Sequence, residues 1–100
     1  MAMGSTPYVL ILCLGNIVVI AYRKYGIILA FIYTNENDNH ELVLFGQENV
    51  GQYIVDASIC YNKEVEREDN GDMSTIEVIL LLGDRMNSKD ANIGKVFFDR

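Results

Sequence analysis

The chain has 100 residues, a formal charge of −6 and an apolar fraction of 50%, with six Tyr, four Phe, one Pro and no Trp. That length makes one domain with one core, and that apolar fraction excludes disorder throughout. Enrichment in β-branched and aromatic residues points to strands, and the acidic balance disfavours a broad nucleic-acid footprint because carboxylates repel phosphate.

Met1–Pro7 (MAMGSTP) reads as a flexible start, and residues 8–100 as a single β domain with no linker and no repeat. Tyr8–Thr34 is nearly unbroken apolar sequence, punctuated by Gly15-Asn16, Arg23-Lys24 and Gly26. Gly followed by Asn suits a two-residue hairpin loop of type II′ or I′, because it supplies positive φ at low cost. Such a loop fixes the pairing: Leu14 opposes Ile17, Cys13 Val18, Leu12 Val19, Ile11 Ile20 and Leu10 Ala21. Both faces of that hairpin are apolar, so both need cover. A barrel or sandwich covers only the inner one. The outer face of residues 8–22 therefore calls for a helix across it or a partner subunit, and is the candidate surface for a homo-oligomer. Membrane insertion is disfavoured, since Tyr8–Tyr22 falls short of the roughly twenty residues a spanning helix needs. Extension to Tyr33 would place Arg23-Lys24 in mid-membrane. No basic residue precedes the run, as a signal peptide would require.

Arg23–Gly26 turns the chain into a third strand, Ile27–Thr34. Asn35–Asn39 (NENDN) is dense in turn formers, Glu41–Phe45 is a short fourth strand, and Gln47–Gln52 is one short helical turn, with a helix over 47–57 as the alternative. Period-two alternation then puts Tyr53, Val55, Ala57, Ile59 and Tyr61 on one face of a half-buried strand. Asn70-Gly71 is a strong hairpin signal. As a two-residue loop it would set Val65 against Ile76, Lys63 against Val78, Tyr61 against Leu80 and Ile59 against Leu82. Ile93–Phe98 closes the chain as a last strand. The expected fold is all-β, with one short helix at most: a small antiparallel barrel or sandwich of six to seven strands joined by hairpins.

Little of this sequence carries catalytic chemistry. Cys13 and Cys60 are too few for a disulfide framework and are expected as buried thiols in a reducing, cytoplasmic setting. His40 is the only histidine. Its loop lacks the leading Asp, the central Gly and the terminal Glu of a calcium loop, so it reads as a polar hairpin connection. No nucleophile elbow, phosphate loop or zinc-protease motif occurs, and neither an enzyme nor a cofactor is expected. Residues 35–77 carry eleven acids against Lys63 and Arg67. Within that block Glu64, Glu66, Glu68, Asp69 and Asp72 form the candidate protein-binding patch, which would steer a partner with a basic surface.

A nucleic-acid alternative rests on two likenesses. Ile76–Met86 (IEVILLLGDRM) resembles the second Sm motif of the Sm-like proteins, with Leu82 where that motif has a basic residue. The run from Gly15 to Ile32, followed by ELVLF, is similar to their first motif, although its Asp and Asn have no secure counterparts. Ile32–Gly46 resembles the second and third strands of oligonucleotide-binding barrels. Neither likeness amounts to a family assignment. What they imply is a small barrel in a nucleic-acid complex, with Arg23, Lys24 and Tyr25 at the contact and Tyr8, Tyr22 and Tyr33 available to stack bases. The principal expectation is a non-enzymatic, acidic interaction module that binds a protein partner.

Overall fold

The computed structural model describes residues 2–62, 75–85 and 89–99. Among these residues there are eight strands: β1 (Ala2–Ser5), β2 (Val9–Leu14), β3 (Ile17–Tyr22), β4 (Ile27–Glu36), β5 (Asn39–Asn49), β6 (Tyr53–Asn62), β7 (Thr75–Gly83) and β8 (Asn92–Asp99). They form a five-stranded sheet in the order β1 to β5 and a three-stranded sheet in the order β6 to β8, antiparallel throughout. Within each sheet every strand pairs with its neighbour in sequence, so each sheet is a meander. Among the described residues both sheets keep two open edges. The fold is a sandwich, which corrects the barrel alternative. Residues 2–5, in the stretch expected to be flexible, pair with β2 as an eighth strand beyond the six or seven expected.

The first hairpin pairs as the loop predicts, from Leu14 with Ile17 to Leu10 with Ala21. Gly15 has φ +58° while Asn16 is not among the residues of positive φ, the pattern of a II′ turn. The next connection is tighter than expected. Asn37 and Asp38 both take positive φ, 52° and 60°, so the five-residue loop contracts to a two-residue I′ turn. Asn and Asp tolerate this left-handed region because their short polar side chains bond locally. With the turn reduced to two residues, the ladder starts at once, and β4 and β5 pair from Glu36 with Asn39 to Ile27 with Asn49. That pairing absorbs Gln47–Asn49 into β5. Neither the helical turn at 47–52 nor the alternative helix at 47–57 forms, and no helix occurs among the described residues.

Two details of the second sheet depart from the sequence reading. Tyr61 lies opposite Ile76 and Ile59 opposite Val78, four positions away from the pairing that an Asn70-Gly71 loop imposes. An even displacement leaves every side chain on its expected face, so the apolar pattern could not distinguish the two registers. A bulge between Ile54 and Asp56 also resets the alternation. Ile54, rather than Tyr53 or Val55, enters the core with no exposed surface, while Ala57 and Ile59 keep the expected face.

The core fills the space between the sheets. Leu10 and Leu12 of β2, Ile17 and Val19 of β3 and Ile28 of β4 face Ile54, Ile76, Val78 and Leu80 across it. At the β5 side, Phe45 meets Phe98 edge-to-face with ring centroids 6.3 Å apart. Gly46 is what admits Phe98 there, since a Cβ at that position would sit 2.5 Å from its ring. No helix of the described residues is long and apolar enough to cross a membrane.

Candidate interaction surfaces

The acidic patch read from the sequence, Glu64, Glu66, Glu68, Asp69 and Asp72, lies outside the described residues. The proposed nucleic-acid residues are described, and they separate. Lys24 and Tyr25 are exposed in the turn between β3 and β4, with Tyr8 exposed near them. Arg23 turns inward and is only 8% exposed. Tyr33, near the far end of β4, lies about 20 Å along the strand from Ile27, where the turn that carries Tyr25 ends, at roughly 3.3 Å per residue. One accessible cation beside two tyrosines is a thin footing for phosphate.

Arg23 is instead a clamp between the sheets. Its Nε donates to the Ile54 carbonyl at 3.2 Å, one terminal nitrogen to Thr6 O at 2.7 Å and the other to Val55 O at 2.5 Å. Its backbone adds two more links: its N–H donates to Tyr8 O and its carbonyl accepts from Ile54 N–H, both at 2.9 Å. Successive carbonyls of a regular strand point opposite ways. The bulge at Ile54–Asp56 lets those of Ile54 and Val55 converge on one guanidinium, whose planar fork of donors fits such a site. The guanidinium also lies 5.9 Å from the centre of the Tyr53 ring. This role was invisible in sequence, where Arg23-Lys24 reads as an exposed basic pair. A bulge leaves no reliable mark on composition.

The two cysteines lie on opposite outer faces and form no disulfide. Cys60 donates through its Sγ to Glu77 Oε2 at 3.2 Å, and Lys95 pairs with Glu77 at 3.7 Å. The bond to Glu77, then burial, then the carboxylate charge push the thiol above its ordinary range, and Lys95 opposes them. A nucleophilic cysteine needs the reverse. The Tyr33 hydroxyl and His40 Nδ1 share a hydrogen bond, and the two rings stack with centroids 5.9 Å apart. Among the described residues no three of His, Cys, Asp and Glu gather to hold a metal ion.

The outer face of the five-stranded sheet is the surface with most to offer. Ile11 and Cys13 of β2, Val18 and Ile20 of β3, and Leu29 and Phe31 of β4 point away from the core and are half-buried. Tyr33, Leu42 and Leu44 continue the face and are exposed. None of these positions is charged. Among the described residues no strand lies over them, because the second sheet occupies the other side. Comparison of the chain with protein-family models, with curated proteins and with solved structures finds no match.

Proposed function

We propose that the protein is a non-enzymatic binding module whose contact surface is the outer face of the five-stranded sheet. The observation that carries this reading is the continuous, uncharged apolar surface from Ile11 to Leu44, left without a second layer among the described residues. Apolar patches of that extent on a soluble surface mark contact sites. The rest of the molecule sets the partner's chemistry. Net charge is −6, and Glu36, Asp38, Glu41 and Glu48 stand at the exposed margin formed by the β4–β5 hairpin. The fitting partner is a protein with an apolar surface rimmed by Lys and Arg, drawn in by the acids and held by the apolar face. The sequence block Glu64–Asp72 adds to the same steering charge.

Affinity purification with mass spectrometry tests this, using wild type, Ile20→Lys plus Leu29→Lys, and charge reversal of Glu64, Glu66 and Glu68. A protein recovered by wild type, weakened by raised salt and lost with the double lysine variant supports the reading. Equal recovery by all three chains refutes it. Retention on single-stranded oligonucleotide, abolished by Lys24→Ala, would move the function to the nucleic-acid alternative. Occupation of the face by a second copy would show as a dimer that Ile20→Lys dissociates.

A further inference from the structure

Strand β5 is an edge of the five-stranded sheet and, at Asn39–Asn49, its longest member. Natural edges of this kind are blunted by charged side chains, Pro, bulges or short length, and the charges of β5, Glu41 and Glu48, stand on either side of Leu42–Leu44 rather than within it. β5 has neither Lys nor Pro, and its one irregularity sits at Phe45, between the pairs Ala30–Gly46 and Phe31–Leu44. Just ahead of that bulge come Leu42, Val43 and Leu44, exposed by 51%, 48% and 48%. Consecutive strand residues point to opposite faces. Both faces of this ribbon are therefore apolar, the inner one because Val43 extends beyond the cover of the second sheet. An edge strand apolar on both faces is complete only when another strand pairs with it and extends both surfaces.

We propose that the occupant is β5 of a second copy, paired antiparallel about a two-fold axis at Val43. The strand is its own complement there. Val43 faces its symmetry mate, Leu42 faces the mate's Leu44, and Glu41 falls opposite Phe45 rather than another acid. A two-fold at Glu41 would oppose like charges, which is unfavourable. Centring on Leu42 would set Val43 against Glu41. Slippage by one residue is excluded because it would bring inward side chains against outward ones. A basic peptide strand would fit the edge less well, since Glu41 is the single charge between Asn39 and Phe45. Pairing of two copies would join the five-stranded sheets into one and double the apolar outer face, but it does not depend on what that face binds.

Sedimentation equilibrium on the full chain tests the proposal, together with oxidation of single-cysteine variants in a Cys13→Ser, Cys60→Ser background. A dimer is expected, weakened at least about tenfold by Leu42→Lys plus Leu44→Lys and unaffected by Ile20→Lys. At protein concentrations too low for the dimer, the thermal midpoint should barely move, because the substituted side chains are half exposed. Val43→Cys is expected to cross-link to itself readily, since paired residues of antiparallel strands lie about 4.5–5.5 Å apart, within disulfide reach. Leu42→Cys alone should cross-link slowly, and a mixture of Leu42→Cys with Leu44→Cys should form the heterodimer. A chain that stays monomeric up to about 100 μM overturns the proposal. So does a dimer indifferent to the lysine pair, or one in which Leu42→Cys links to itself faster than Val43→Cys.

Discussion

Arg23 shows how a single side chain can be read correctly in type and wrongly in place. As a cation next to Lys24 it belongs on a surface; as a fork of donors it satisfies the carbonyls of Thr6, Ile54 and Val55. Hydrogen bonds from a charged donor are worth about 1.5–3 kcal/mol each, and orphaned buried acceptors add their own penalty. Arg23→Met is therefore expected to cost about 3–5 kcal/mol in a denaturant titration, more than Lys24→Met at the exposed neighbouring position, which should stay within about 0.5 kcal/mol. Cys60 gives the second residue-scale prediction. Its folded pKa is raised, so the folded state holds the thiol proton more tightly than the unfolded chain. The stabilising contribution is present below the unfolded thiol pKa and is lost as pH rises from there through the folded value. Alkylation of Cys60, followed by peptide mass spectrometry, should be slow at neutral pH. Glu77→Gln should accelerate it and move its pH–rate midpoint downward, because the main cause of the upward shift is removed.

At the scale of elements, turns decide the architecture. Gly26 ends the β3–β4 connection with φ +68°; its N–H donates to Tyr22 O at 2.9 Å, and its carbonyl accepts from Val50 N–H at 2.8 Å. A Cβ there would stand 2.4 Å from the backbone oxygen of Gln52. Both the dihedral and the contact exclude a side chain, so Gly26→Ala is expected to lower stability by about 1–3 kcal/mol, read from the midpoint of thermal or urea unfolding. The β4–β5 turn works differently. Replacing Asn37-Asp38 by Asn-Gly keeps a I′ turn and relieves the left-handed strain on Asp38 (φ 60°), so this hairpin should gain a few tenths of a kcal/mol or more.

For the whole molecule, the two sheets share one core, since the buried residues of β2–β4 and of β6–β8 form a single cluster. Neither sheet buries its inner face alone. Unfolding should consequently be one cooperative transition, with far-ultraviolet circular dichroism and tyrosine fluorescence giving the same midpoint. Ile28→Ala, at a position with no exposed surface, should shift both probes together by about 2–5 kcal/mol. Separate midpoints would show that the sheets are independent units.

Much of this was legible in the chain itself. Gly15-Asn16 and the apolar runs beside it determined the first hairpin to the residue, because a two-residue loop leaves one pairing and local sequence carries all of its information. Strand content and the all-β class followed from periodicity and β-branched composition. The apolar outer face of the hairpin was also foreseeable, as a surplus that one packed layer cannot cover. Tertiary structure decided the rest. The register of β6 with β7 differs from the predicted one by an even step, to which the alternation of side chains is blind. The inward turn of Arg23 depends on a bulge thirty-odd residues away in sequence. Open sheets in place of a closed barrel, and the edge that leaves Leu42–Leu44 bare, come from how the two meanders pack, and nothing local to either strand encodes it.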